Sequence, residues 1–399
     1  MTTILKITPH DPLVARDGRP FGAGQGNRMR GLPWPLPSVV AGSFRTALVK
    51  GSGDDFSGTT PSVLLEKVSV AGVLPCVGSQ LYLPAPQDAV VEKNPSGNGL
   101  KMVHRVSPQP LDGGCDLPEE RLLPVMLSES QATDEFKPEA APAWWPISKY
   151  VQWLTGSESD YRPTWFDETF LQHPLTTYRD HVALDSDRGA AAESLLFASA
   201  NLHVGHLPRY LGDEAVTKLP FDQRLAEVSL TARANIDHDH WRRTQVDWLH
   251  PLGGEQRLVK WRQCGQAVSG WTCPPAIESA LADASRIRLI LATPAIFASG
   301  WKPGWLHNGL QGEFNGIHLK LVGVANGRWK AVSGWSLADT KDQPRGPKAI
   351  RRMVPEGSVY YFTCEPGAAA NLKDHWLEPV SDAPQERRDG FGLAVWGTW

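Results

Sequence analysis

The sequence predicts an α+β chain of two β-α-β-β-α-β units, residues 1–270 and 280–399, the first interrupted by an insertion over 86–177. Three observations predict it. Both stretches run strand, helix, strands, helix, Gly-rich turn, strand, the split β-α-β-β-α-β order. Both place the Gly-rich turn before the last strand with arginine beside it: PLGGEQR ending at Arg257, and Arg387-Arg388-Asp389-Gly390-Phe391-Gly392. Between 86 and 177 the texture changes, since NPSGNG, LDGGCD and SESQATDEFKPEAAPAWWP are loop-like and acidic or Pro-rich. The two units share an order of elements and no alignable sequence repeat.

The elements follow in chain order. Ile4 to Thr8 reads as a strand, and Pro37-Ser38 opens a helix through Leu48. Val63 to Leu74 is partly alternating and β-branched, a strand with Gln80 to Pro84 as its mate. Inside the insertion, Ile147 to Leu154 reads as a short helix, and the rest as surface for partners. Core texture returns at Arg179 to Asp185. Ser194 to Val204 and Leu225 to Ala234 read as strands. His238 to Leu249 reads as a helix with Trp241 and Trp248 as its apolar points, and Leu258 to Trp261 as a strand. In the second unit, Ala276 to Ala284 is a linking helix and Arg286 to Ala292 a strand. Trp301 to Leu306 is a helical turn. Ile317 to Ala325 and Trp329 to Trp335 form a pair across Asn326-Gly327. Ser358 to Thr363 is a strand, Ala368 to Leu377 a helix, and Leu393 to Trp396 the closing strand.

Composition narrows the function classes. The 399 residues carry a formal net charge of −3, which argues against a chain that coats nucleic acid non-specifically. Charge is uneven, however. Residues 1–50 hold seven Lys and Arg against two Asp, and residues 328–352 repeat that balance, a local +5 in each. Acidic residues gather near 116–139 and 157–168. Such a map fits a chain that grips a polyanion in one place and faces proteins elsewhere. The sixteen tryptophans suit core, interface and a few stacking positions. No apolar run is long enough to span a bilayer, and the start lacks a signal pattern. The five cysteines are scattered, with no C-x-x-C, so a reducing cytoplasm is expected, with no disulfide framework, zinc site or other cofactor.

Residues 10–48 are the candidate functional centre. The loop sets Arg16, Arg19, Arg28 and Arg30 against Asp11 and Asp17, and its glycines let the backbone approach a ligand closely. At about 100° per residue, Val40, Phe44, Ala47 and Leu48 share a core-like side of the helix. Ser38, Gly42 and Arg45 share another, two small residues and a guanidinium near the positive end of the helix dipole. That combination suits a phosphate, with Ser38 as the N-cap. A surface helix with a solvated arginine is the plain alternative, and the Arg/Gly loop ahead of it favours the phosphate.

At this point the chain resembles a known family. DPLVARDGRPF followed by LPSVVAGSFRTAL resembles the start of the RAMP proteins of CRISPR effector complexes. RDHVALD at 179–185 with LLF at 195–197, PLGGEQRLVKW at 251–261, TPAIFASGWKPGW at 293–305, VSGWSL at 332–337, RRMVPEGSVYYF at 351–362 and GFGLAVWG at 390–397 complete the set. In this order they resemble the third subunit of the type III-B (Cmr) complex, a Cas-five-like RAMP. The resemblance implies two ferredoxin-like (RRM-like) domains with long inserted loops. It implies a cytoplasmic subunit that binds the 5′ handle of the guide RNA (crRNA) and does not itself cut RNA. It also implies contacts with the large Palm-domain subunit and with a Cas-seven-like backbone subunit, and through them, indirectly, with target RNA. It assigns roles to Arg16, Arg19 and Phe21, to Ser38, Gly42 and Arg45, to Gly253, Gly254, Gln256 and Arg257, and to Gly390 and Gly392. Arg28 and Arg30 join the track on charge alone. Asp17, Arg179, His181, Arg351, Arg387 and Arg388 complete the candidates.

The chemistry of a single-stranded handle agrees. Phosphates take Arg, Lys, backbone N–H groups and helix N-termini. Splayed bases take aromatic or guanidinium planes. Phe21 and Trp34 can stack or simply pack, and Asp17 can accept from a base edge or pair with Arg16 or Arg19. The rival reading is a metal-independent endoribonuclease using His10 or His181 as general base beside an arginine. His238-Asp239-His240, with His203 and His206, lacks the i, i+4 spacing of a helical metal motif and reads as a loop face or cap. GAGQG at 22–26 is not a P-loop, and no G-x-S-x-G elbow is present.

Overall fold

The computed structural model describes residues 2–17, 27–57, 60–93, 101–111, 113, 116–119, 121–128, 136–156, 165–211, 218–265, 268–336 and 345–399. Two antiparallel sheets dominate. The first has seven strands in the order Trp144–Pro146, Gln80–Pro84, Val68–Val77, Ser229–Ile236, Thr2–Pro9, Leu258–Gln263, Asp247–Pro251. The second has six, in the order Gln311–Phe314, Ile317–Ala325, Val359–Thr363, Arg286–Leu291, Leu393–Thr398, Glu378–Pro379. In each, four strands stand as fourth, first, third, second of their stretch of chain.

The helices depart from the predicted order, one in each unit. The first unit keeps the helix after its first strand, Pro37–Ser52, which buries Val40, Phe44, Ala47 and Leu48 as its periodicity requires. Its second helix is replaced. His238 to Leu249 forms a 3-10 turn at Trp241–Arg243 and then the edge strand Asp247–Pro251. The helical spacing of Trp241 and Trp248 competes there with a period of two: Val246 and His250 are buried, Asp247 and Leu249 exposed. The second unit lacks a helix between its first two strands, where Pro294, Gly300, Pro303 and Gly304 interrupt the chain. Trp301 to Leu306 is only a turn, with the Leu306 N–H donating to Pro303 O at 3.0 Å. Ala368–His375 is 3-10, followed by the short helix Pro384–Arg388.

Three further readings are corrected. Val63 to Lys67 is not strand: Pro61 sits in the first turn of a helix, Thr60–Lys67, and the β-branched run starts at Val68. Ile317–Ala325 turns back on Gln311–Phe314, not on Trp329 to Trp335. Of the Asn-Gly pairs at the two ends of this strand, Asn315-Gly316 is the hairpin turn, with φ of 48° and 83°, the signature of a type I′ turn. Lys330–Val332 pairs instead with Arg351–Met353. Arg179 to Asp185 belongs to an exposed strand, Thr176–Asp185, paired with Ala190–Leu202.

The insertion is part of the core as well as surface. Its helix Ile147–Thr155 buries Ile147, Tyr150, Trp153 and Leu154, and these join Trp145, Leu289, Tyr361 and Trp396 in the largest apolar cluster. At its centre the wholly buried Arg288 pairs with the wholly buried Asp88. Trp153 Nε1 donates to Asp88 Oδ1 at 2.9 Å, Arg288 also donates to Trp153 O, and the Tyr361 hydroxyl donates to Val106 O at 2.7 Å. A second cluster sits between the first sheet and the helix Pro37–Ser52. No described helix is long and apolar enough to cross a membrane.

Candidate nucleic-acid interface

The loop after the first strand is fastened by its backbone to three other segments. His10 and Asp11 N–H both reach Leu258 O, and Asp11 Oδ2 accepts the Leu258 N–H at 2.9 Å. Leu13 exchanges hydrogen bonds with Leu202 at 2.9 and 2.7 Å. Asp17 N–H donates to Arg30 O at 3.2 Å and Leu32 N–H to Ala15 O at 3.0 Å, so Arg16 lies opposite Gly31. Asn27–Arg28 in turn run parallel to Phe197–Ala198. Arg16 and Arg30 are exposed on this face.

The first Gly-rich turn lies on the same loop. Gly254 N–H donates to Val14 O at 2.9 Å. Gly253 has φ of 81°, and a Cβ there would stand 2.7 Å from Val14 O, so only glycine fits. Glu255 and Gln256 also adopt positive φ, 56° and 49°. Arg257 Nη2 donates to Asn201 Oδ1 at 3.0 Å and to Glu255 Oε2 at 2.5 Å. His181 Nε2 lies 2.8 Å from Ser199 Oγ, and its ring stacks on Phe197, centroids 4.9 Å apart and planes 11° from parallel. Arg179, two residues away on the same strand face, is exposed.

Thus Arg16, Asp17, Arg28, Arg30, Arg179, His181, Gly253, Gly254, Gln256 and Arg257 are gathered around one joined set of backbones. Phe197, Ser199, Asn201 and Glu255 were missed. The alternation of Phe197, Ser199 and Asn201 on one strand was the available signal. Arg19 and Phe21 lie outside the described residues.

The remaining candidates have other work. Arg45 is buried, not presented to a ligand. Its Nη1 pairs with Asp389 Oδ1 at 2.5 Å, with side chains 6% and 7% exposed. Its Nε and Nη2 donate to Val68 O at 2.9 and 2.7 Å, and Nη2 reaches Arg388 O at 3.1 Å. Ser38 is not the N-cap: Leu36 takes that place with Pro37 at the first helical position, and no side chain caps the helix. Ser38, Gly42 and Arg45 do line a cleft, together with Trp335, Ser336 and Lys348. Burial there pushes the Lys348 ammonium down, opposed by Asp389 and helped by Arg351 and Arg45.

The second Gly-rich turn is packing, not an open anion nest. Gly390 and Gly392 are buried, and a Cβ on Gly390 (φ 86°) would stand 2.5 Å from Val70 O of the first sheet. Arg351 pairs with the buried Glu386. Arg387 donates to the carbonyls of Ser381 and Asp382, and the Arg388 carbonyl serves Arg45. Burial takes Arg45, Gly390 and Gly392 out of a ligand's reach, against the phosphate roles read for them, and Arg351 and Arg387 have protein partners. Phe391 beside them packs with Leu32, Leu36, Val332, Met353 and Ala15. The two basic stretches, 1–50 and 328–352, therefore meet. In the second, Arg352 lies 4.9 Å over the half-exposed Trp329 ring.

The histidines each have their own surroundings. His10 is exposed beside the Leu258 contact. His238 packs on Trp241 at 4.1 Å, His240 Nε2 stands 3.4 Å from Asp54 Oδ2, and His203 Nε2 lies 3.1 Å from Thr177 Oγ1. Asp54 is held below the usual carboxylate range by hydrogen bonds from Trp241 and Ser52.

The sequence model of the CRISPR-associated protein family Cas_Cmr3 matches residues 5–399. The chain belongs to this family. The match takes in all the blocks that carry the resemblance and also residues 86–177, where none of them lies. No curated protein matches the chain. Among solved structures, the chain is similar to one in a cryo-EM structure of type III-B Cmr-β bound to cognate target RNA and AMPPnP, with TM-score 0.46 and 15% identity over 90% of this chain and 86% of that one. A second Cmr-β structure with cognate target RNA gives 0.45, 15%, 90% and 86%. A chain of the Csm3–Csm4 subcomplex of the type III-A interference complex gives 0.33, 8%, 91% and 97%.

Proposed function

We propose that this Cas_Cmr3 family chain is a non-catalytic subunit of a type III-B effector complex. It binds the 5′ handle of the guide RNA and bridges the large Palm-domain subunit to a Cas-seven-like backbone subunit, with target RNA reached indirectly. Its two units, 1–270 and 280–399, are ferredoxin-like domains that have each exchanged one helix for a turn, an edge strand or coil. The observation that carries the RNA reading is the convergence of exposed Arg16 and Arg30 with Arg257 and His181 around a Gly-rich turn seated on Val14. Exposed guanidiniums serve phosphates, the open turn admits a backbone, and an imidazole stacked on Phe197 offers a flat surface to a base.

The test is charge reversal of Arg16 and Arg30 together in the assembled complex. Affinity for guide RNA is expected to fall, and the slope of log affinity against log salt to shrink by about one for each phosphate no longer neutralised. Equal affinity and slope in parent and variant would remove this face from the RNA path. An RNA cleavage assay on the isolated chain, with a His10→Ala and His181→Ala pair, separates binder from nuclease. Cleavage that depends on either histidine overturns the non-catalytic reading.

A further inference from the structure

One carboxylate on this face stands where a polyanion would. Glu255 Oε2 accepts from Arg257 Nη2 at 2.5 Å, and Oε1 lies 3.8 Å from His181 Nε2. Both basic groups are braced from behind. Arg257 also donates to Asn201, and His181 is tied to Ser199 and stacked on Phe197. Ser199 and Asn201 are buried, and Asn201 Nδ2 donates to Ser199 O, so the brace is connected. The Nε of Arg257 is buried with no hydrogen-bond partner among the described residues, which leaves a donor of the same guanidinium unused.

The occupant is the less settled side. Glu255 and the following Gln256 are consecutive non-glycine residues at positive φ, 56° and 49°, a region that side chains of L-residues avoid. Residues 253–256 are exposed, so the turn is open to an approaching strand. The Arg257 guanidinium donates to the carboxylate while the His181 ring, its Nε2 engaged with Ser199 Oγ, flanks it at 3.8 Å, and a guanidinium is also a phosphodiester's preferred partner.

We propose that Arg257 and His181 form a phosphodiester site for single-stranded RNA, which the Glu255 carboxylate occupies in the free protein. Incoming RNA expels the carboxylate, and the turn then relaxes from its left-handed conformation. The inference rests on the RNA-binding reading above and deepens it. Glu255 is thus a latch that a chain with too few phosphates in reach does not open.

The experiment compares the full chain with Glu255→Gln, Glu255→Gly and Arg257→Gln, using a labelled single-stranded RNA with a repeat-derived 5′ end. Anisotropy titrations are run for the chain alone and in the assembled complex. Both Glu255 variants are expected to bind roughly 1.5- to fivefold tighter than the parent, the range for breaking one partly exposed ion pair. Glycine suits the positive φ, so that variant keeps the fold if glutamine disturbs it. Arg257→Gln is expected to bind more weakly and to make Glu255→Gln silent when the two are combined. Unchanged or weaker binding by the Glu255 variants, with the parent still binding, overturns the latch and leaves the RNA-binding reading standing. A parent that binds no RNA in either setting overturns both.

Discussion

Arg288→Met removes the cation from a pair in which both side chains are fully enclosed. Asp88 would keep Trp153 Nε1 at 2.9 Å, a neutral donor against a full charge, since the single Tyr361 hydroxyl proton goes to Val106 O. Removing one partner of a buried pair costs about 3–5 kcal/mol. The Trp153 carbonyl loses a donor as well, about 1–3 kcal/mol, and the two terms overlap because one guanidinium serves both. The expected loss is about 5 kcal/mol, a large share of an ordinary domain's stability. Urea unfolding followed by tryptophan fluorescence reads it as a lower midpoint. Adding Asp88→Asn to the variant removes the stranded charge and is expected to recover about half of the loss or more. Because Asp88 and Trp153 lie in the insertion and Arg288 in the second sheet, limited proteolysis is expected to open 86–156 first. A midpoint within error of the parent would refute the account of the insertion as a pinned part of the core.

Two other outcomes follow from the side chains already placed. Arg45→Met leaves Asp389 buried without its cation and is expected to cost about 3–5 kcal/mol in urea unfolding. Guide-RNA affinity of the folded fraction stays at the parent's value, so weakened RNA binding with intact stability would return Arg45 to the RNA track. Burial depresses the His250 imidazole, with Lys50 adding to the effect. Its folded pKa therefore lies below the unfolded value of about 6.5, and the unfolded chain binds more protons between the two. Stability is expected to be full above about pH 6.5 and to decline as pH falls toward the folded value. A His250→Asn variant should flatten that decline, and an equal slope in both proteins would exclude His250 as its source.

Local signals carried most of what was legible. Thr2–Pro9 alternates, Pro37 opens a helix with one apolar side, and Ile147 to Leu154 repeats apolar residues at helical spacing; each forms the expected element. The Gly253 turn was legible because its glycines are needed for close approach to Val14. What failed was the choice between uses that look alike in sequence. An arginine for phosphate and an arginine for a buried carboxylate have the same letter, and Arg45 finds Asp389 at a separation of 344 residues. The two Gly-rich turns look equivalent, yet one faces solvent and the other packs on Val70. Asn315-Gly316 and Asn326-Gly327, at the two ends of one strand, offered the same hairpin signal, and strand pairing used only the first. Trp241 and Trp248 satisfied a helical period while their neighbours satisfied a period of two, and the sheet edge decided between them.

The order of the first sheet has a consequence in time. Thr2–Pro9 is flanked by Ser229–Ile236 and Leu258–Gln263, with Thr2 opposite Asn235 and Leu5 opposite Gln263. During synthesis this apolar strand leaves the ribosome with both edges unpaired and stays so until more than half of the chain has been made. At about 5–20 residues per second, that interval is many seconds, long against the microseconds in which hairpins close. The helix Pro37–Ser52 can cover one face meanwhile, but nothing can cover the edges. The nascent chain is therefore expected to need its strand edges shielded until Ser229–Ile236 emerges, and the loop that gathers the arginines to take its final shape only after Leu258 has arrived to hold it.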